Sequence, residues 1–303
     1  MVAAQPQRNH PSAAGVNVPQ PCLQIDPATF RAKFCDHPFR IQHNLAGHEL
    51  FTLPRLVELA QRLPADRVEY NAGTVPVSQD PKLTPQNGLS VTETIRRIEE
   101  CKSWMALKNV ERDPAYNALL EACLNEIAPL SEPIVPGMTQ REAYIFITSP
   151  GSITPYHVDN EYNFLLQIRG QKEISLFDRA DRSIISEVDL ETFYTGGHRN
   201  QVFKEEYQAK AQVFQLKPGD GLHFPITAPH WVKNGPEVSV SFSITFRTPA
   251  SEHRELTFRV NANLRKYGLT PTPVGVAPWK DGLKSAAYRA WRRANTLLHR
   301  NGN

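Results

Sequence analysis

Cysteine is scarce and scattered in this sequence. Its 303 residues include four, Cys22, Cys35, Cys101 and Cys123, and no two form a C-x-x-C pair, which excludes the common cysteine-based zinc and dithiol motifs. Disulfides are not expected in such a chain; each cysteine reads as a small apolar side chain. No apolar run approaches the length needed to span a bilayer. The opening MVAAQPQRNHPSAAGVNVPQP lacks the apolar centre of a secretory signal, so the expectation is a cytoplasmic protein that does not engage a membrane. An excess of one charge is also missing. Thirty-four Lys and Arg against 31 Asp and Glu leave +3, and this balance gives no reason to expect a nucleic-acid partner.

What is present is an ordinary globular balance, 40% hydrophobic and 21% charged. Four regions differ in texture. Residues 1–25 are rich in Pro, Ala, Gln and Asn and read as a disordered or extended tail. Residues 26–140 mix helices with short strands and read as an α+β part that supports the strand-rich region after it. Asp26-Pro27 and Asp113-Pro114 are N-cap and first-position pairs, Leu53 to Leu63 reads as a helix, and Ser90 with Glu93 forms a capping box. Arg67–Asn71 and Trp104–Lys108 read as strands. Residues 141–250 carry strand-like runs at Ala143–Thr148, Glu161–Ile168, Lys172–Phe177, Gln212–Leu216, Gly221–Phe224 and Val238–Phe246. Turn residues such as Arg169-Gly170 and Pro218-Gly219-Asp220 separate several of them. That rhythm predicts an antiparallel barrel or sandwich. Residues 251–303 should form two helices, Glu252–Tyr267 and Asp281–His299.

The chemistry centres on Thr154-Pro155-Tyr156-His157-Val158-Asp159. On extended chain, residues i and i+2 point to one side, so His157 and Asp159 can reach one metal. His230 comes later, just before a strand. Two His and one carboxylate leave three coordination positions open, as in the facial triad of non-haem Fe(II) oxygenases. The tripeptide H-x-D alone is a weak signal that better suits a polar surface strand; the surrounding sequence reverses that reading. If the strand continued unbroken, Asn163 and Gln167 would lie beside the ligands. Lys172 shares a strand face with Ile174 and Leu176, where a lysine needs either a partner anion or a route to solvent at the strand end. In VSVSFSITF, one face is apolar and the other carries Ser239, Ser241, Ser243 and Thr245, suited to solvent or to a ligand-filled interior.

These motifs in this order resemble a known family. TPYHVDNEYNFLLQIRGQKEISLF and KPGDGLHFPITAPHWVKNG are similar to the core of JmjC-type oxygenases of the cupin superfamily, closest to the asparaginyl-hydroxylase branch with its T-P-x-H-x-D, N-F and G-x-K pattern. The resemblance runs from about residue 141 to 247. It implies a double-stranded β-helix of mainly β structure with flanking helices. It implies Fe(II) on His157, Asp159 and His230, and 2-oxoglutarate and dioxygen as co-substrates. By the same resemblance Thr154 and Lys172 bind the distal carboxylate, and Asn163 lies near the chelating end. Ser243 stands where that branch has Asn. A tyrosine usually completes the carboxylate pocket, with Tyr144 and Tyr70 as candidates. In related families an Arg after the distal His takes that role, which would be Arg247; the spacing favours Lys172. His223 reads as a packed histidine.

The implied activity is a dioxygenase that hydroxylates an unactivated C–H bond of a protein side chain or a small metabolite. N-methyl demethylation by the same chemistry, or a cupin-like metal or ligand sensor without turnover, are the competing readings. The segment from Asp178 to Gln208 reads as a substrate entrance or a solvated insertion. Leu283, Ala287, Trp291, Ala294 and Leu298 form one apolar stripe, with Lys284, Arg289, Arg292, Arg293 and Arg300 around it. That stripe suits packing on the chain's own barrel or a homodimer, which JmjC hydroxylases of this branch form through C-terminal helices.

Overall fold

The computed structural model describes residues 21–300, with side chains as far as residue 296. Its strands are β1 (Leu23–Gln24), β2 (Phe39–His43), β3 (Val68–Ala72), β4 (Ser103–Lys108), β5 (Thr139–Thr148), β6 (Ile153–His157), β7 (Tyr162–Arg169), β8 (Lys172–Leu176), β9 (Gln212–Leu216), β10 (Asp220–Phe224), β11 (His230–Asn234) and β12 (Ser239–Arg247). They form an eight-stranded sheet, β1-β2-β10-β7-β12-β5-β4-β3, and a four-stranded sheet, β6-β11-β8-β9. Pairings within both sheets are antiparallel. The two sheets give the mainly β jelly roll with flanking helices.

The helices are α1 (Pro27–Lys33), α2 (Leu53–Arg62), α3 (Val91–Arg96), α4 (Pro114–Ser131), α5 (Glu187–Tyr194), α6 (Pro249–Lys266) and α7 (Pro278–Arg300). Their starts reflect local chemistry. Asp26 accepts from the Thr29 amide at 2.9 Å, Asp113 from the Ala115 amide at 3.0 Å, and Ser90 and Glu93 cap each other reciprocally. No helix is long and apolar enough to cross a membrane among the described residues.

Strand β12 separates the two interiors. Val240, Phe242, Ile244 and Phe246 join the larger core with Phe30, Leu56 and Leu120 from α1, α2 and α4. Each such fully buried side chain is worth roughly 1.5–3 kcal/mol. The opposite face, Ser239, Ser241, Ser243 and Thr245, is also buried and looks between the sheets, so solvent is not what those hydroxyls meet. Ser241 donates to Gln167 Oε1 at 2.7 Å and Gln167 donates on to Ser239 at 3.0 Å. A smaller apolar cluster of Leu165, Ile174, Leu176, Leu222, Phe224 and Val232 fills the rest of the space between the sheets.

Several expectations change. Residues 1–20 of the expected tail lie outside the described residues, while Leu23 and Gln24 pair with His43 and Gln42. Sheet continuity ignores the boundary near residue 140: β2 flanks β10, and β4 flanks β5. The strand through His157 does not run on to Gln167. The chain leaves the small sheet after His157 and re-enters the large one at Tyr162, so Asp159 sits in the crossover. The Asp178–Gln208 segment contains α5, begun by a Ser186–Asp189 capping box. In α7 the described members of the apolar stripe, Leu283, Ala287, Trp291 and Ala294, are exposed, and the buried positions are Asp281 and Ser285. The stripe is therefore not what packs the helix onto its own chain. Leu298 and Arg300 lie beyond the described side chains.

The return from β7 to β8 depends on Gly170. Its φ is +67°, and a Cβ there would collide with the Val238 carbonyl oxygen. Replacement by Ala therefore combines backbone strain with a backbone clash. Gly170→Ala should lose at least about 2 kcal/mol of stability in denaturant titration. An unchanged midpoint would show that the turn tolerates a side chain.

Candidate active site

The site is assembled where β6, β11 and the β6–β7 crossover meet. His157 ends β6, His230 begins β11, and the two are direct partners across the ladder. Their rings lie 4.1 Å apart. Asp159 Oδ2 stands 3.7 Å from both Nε2 atoms. Candidate ligand atoms of all three residues lie within 4.8 Å of one another.

The imidazoles are oriented alike. His157 Nδ1 lies 2.7 Å from the Pro155 carbonyl and His230 Nδ1 lies 3.0 Å from the Ala228 carbonyl. A carbonyl only accepts, so Nδ1 carries the proton and each Nε2 presents a lone pair. Burial holds both imidazoles neutral; His157 is pushed down to about 3, with His230 adding to the effect, and His230 is lowered as well. Burial opposes ionisation of Asp159, and the positive charge of the nearby Arg199 favours its carboxylate form. Two lone pairs and a carboxylate, too far apart for hydrogen bonds, converge on one point. That donor set fits a divalent cation with several positions left open.

Behind the triad lies an inner cavity of about 40 Å³ whose walls include Phe146, Thr154, Asn163, Lys172 and Val232. One water needs roughly 10–15 Å³ on this measure, so a carboxylate-sized group fits. Lys172 is 4% exposed, and burial alone, with no neighbouring charge to offset it, pushes its ammonium down to about 7. No salt bridge is formed by it among the described residues. Thr154 Oγ1 accepts from Trp104 Nε1 at 2.9 Å, which leaves its own proton to be donated. A buried ammonium and a hydroxyl, both lacking an acceptor, fit an anion held between them.

Through Phe146, Asp159, Asn163 and Arg199 this space adjoins an outer cavity of about 780 Å³ beside the triad, where Tyr144, Ser243, Thr245 and Glu161 are found. Ser243 donates to Asn163 Oδ1 at 2.8 Å. Glu161 is pushed up to about 7 by burial and by Asp159.

Some expected roles move. Tyr144 lines the outer cavity rather than the Lys172 cavity, and its hydroxyl donates to Glu142 at 2.6 Å. Tyr70 packs against the larger core on the other side of the sheet. Neither tyrosine reaches Lys172; Phe146 and the Trp104–Thr154 pair occupy that ground. Arg247 is paired with Glu255, across β12 and α6, and does not line the inner cavity. His223 is buried among Phe34, Phe39 and Phe164, on the face of β10 away from the triad, and burial pushes it down to about 4.

Two site residues were not singled out from sequence. Trp104 lay in an expected strand, but nothing local says which strand will stand beside Thr154. Arg199, whose guanidinium is 3.8 Å from Asp159 Oδ1, belongs to the Asp178–Gln208 segment, where its charge was the one signal. That segment reaches the site by pairing: the Val158 amide donates to the Arg199 carbonyl at 3.1 Å and the Gln201 amide to the Tyr156 carbonyl at 2.9 Å.

A model of the cupin-like domain family matches residues 55–252. The chain belongs to this cupin-like family. No curated protein matches it in sequence. Among solved structures it is similar to an X-ray structure of YcfD from Escherichia coli, at 17% identity over 88% of this chain and 67% of that chain, with a TM-score of 0.52. It is also similar to YcfD, a ribosomal oxygenase from Escherichia coli, in complex with cobalt and 2-oxoglutarate, at 16% identity with the same coverage and TM-score. At such identities the likeness is one of fold, and it agrees with the two antiparallel sheets of this cupin-like chain.

For a cupin-like protein with this donor set, removing one ligand leaves two, which hold a metal weakly. His157→Ala and Asp159→Ala should each abolish stoichiometric Fe(II) or Co(II) binding, read by titration calorimetry or Co(II) absorption. Full occupancy in either variant would rule out the triad.

Proposed function

We propose that the protein is an Fe(II)- and 2-oxoglutarate-dependent dioxygenase that hydroxylates an unactivated C–H bond of a protein side chain or a small metabolite. The observation that carries this reading is one cavity holding two unsatisfied demands: an open triad asking for a cation, and behind it Lys172 and Thr154 asking for an anion. A dicarboxylate able to chelate a metal at one end answers both.

When bound, Fe(II) with 2-oxoglutarate supplies oxidising power for C–H hydroxylation, with succinate and carbon dioxide as co-products. The residues' part is placement. His157 and His230 offer Nε2 because their Nδ1 protons are held by backbone carbonyls. Lys172 and Thr154 hold the far carboxylate by a charge-assisted pair and a hydroxyl bond, and Asn163, fixed by Ser243, borders the chelating end. The outer cavity receives the substrate and limits water. In this reading residues 141–250 carry the catalysis, residues 26–140 complete the sheets, and the setting is the cytoplasm. A sensor of metal alone would not need an unpaired lysine set behind an open triad, and a sensor of the dicarboxylate would bind it without forming succinate.

Iron-dependent conversion of 2-oxoglutarate to succinate, stimulated by a hydroxylatable substrate, tests the reading; demethylation would give succinate too, with formaldehyde released alongside it. Lys172→Ala should raise the 2-oxoglutarate requirement about tenfold or more, since a charge-assisted hydrogen bond is worth roughly 1.5–3 kcal/mol, while metal binding stays intact. An unchanged requirement, with a large loss in Arg247→Ala, would point to the arginine-type pocket of related oxygenases.

We also propose a homodimer through α7, supported by the exposure of Leu283 and Trp291, at 63% and 59%, on one side of that helix. An isologous contact would cover both. The wild type should sediment as a dimer at micromolar concentration and a Leu283→Arg/Trp291→Arg variant as a folded monomer. A monomeric wild type ends the proposal.

A further inference from the structure

Trp104 is nearly buried, 6% exposed, on β4, where its backbone is paired with Asn71 of β3 and Thr148 of β5. Its ring packs at 5.9 Å from that of Phe146, so two strands and an aromatic neighbour fix the indole. Its one polar atom, Nε1, is 2.9 Å from Thr154 Oγ1. An indole N–H can donate and never accept. Thr154 must therefore accept from Trp104, and its single proton cannot be spent there. Thr154 also lines the cavity of Lys172.

We infer that Trp104 is a positioning residue that sets the polarity of the Thr154 hydroxyl, so that its proton is offered to the distal carboxylate of the co-substrate beside Lys172. This rests on the co-substrate reading above. A tyrosine in this place could donate or accept and would leave the polarity open; the indole admits one answer. The hydroxyl is then pre-oriented before the anion arrives, and Thr154 and Lys172 both present donors to it.

The test compares two ligands on metal-loaded, anaerobic protein by titration calorimetry. 2-Oxoglutarate uses both the metal and the distal carboxylate site, whereas oxalate uses the metal alone. Trp104→Phe keeps a smaller aromatic ring and removes the N–H; it should weaken 2-oxoglutarate about five- to tenfold and leave oxalate unchanged. Thr154→Val should do at least as much, Thr154→Ser should stay near wild type, and Trp104→Phe should cost nothing further in the Thr154→Val background. Equal losses for both ligands, or losses that multiply in the double variant, overturn the inference. A wild type that binds oxalate but not 2-oxoglutarate overturns the co-substrate reading, and the inference with it. A second readout leaves Trp104 unchanged: its indole proton should exchange slowly in the wild type and faster in Thr154→Val. Equal exchange rates also overturn it.

Discussion

The arrangement depends on one irregularity in a ladder. Across β6 and β11, His230 faces His157 and Val232 faces Thr154. Two steps on β11 thus correspond to three on β6, and the extra residue falls at Pro155-Tyr156. Proline has no amide proton to give a neighbour, and β6 is the edge of its sheet, where such a bulge is tolerated. In a regular strand, residues three apart point to opposite faces. The bulge turns Thr154 and His157 to the same side, into one cavity, and sends Tyr156 outward to Phe177 and Phe203. Without it, either His157 or the Thr154 hydroxyl would leave the interior.

Around that irregularity most buried polar groups are satisfied. Ser239, Gln167 and Ser241 form a closed set, Ser243 holds Asn163, and Glu255 takes both Arg247 and Arg259. Such pairing is the usual condition of a folded interior. Scattered buried atoms, Asn160 Oδ1 and Tyr194 Oη among them, also lack a partner; the Nε2 lone pairs, Lys172 and the Thr154 proton differ in sharing one cavity. Their opposite demands, a few residues apart, mark the site more clearly than the size of any cavity does.

Strand identities were legible because short-range patterns dictate them. The alternation in VSVSFSITF reflects a strand buried on both sides, one packed with carbon and one with hydroxyls. Lys172 could be read on an inward face from Ile174 and Leu176. The triad residues could be named because their spacing and types constrain the chemistry. Tyr144 was less legible: it lies two residues from Phe146 on β5, yet it lines the outer cavity and its hydroxyl donates to Glu142, a placement set by contacts between strands.

By itself, then, the sequence determined the strand register of faces, the helix starts and the set of metal-ligand types, since each arises from interactions between residues a few positions apart. Only the tertiary structure decided which strands became neighbours. It set β4 beside β5 so that Trp104 meets Thr154, bent the Asp178–Gln208 segment back to bring Arg199 to Asp159, and turned the apolar stripe of α7 outward. The partners in those two site contacts are tens of residues apart in the chain, and no local pattern encodes them. They arise when two sheets close around a shared interior and each side chain takes the space the others leave.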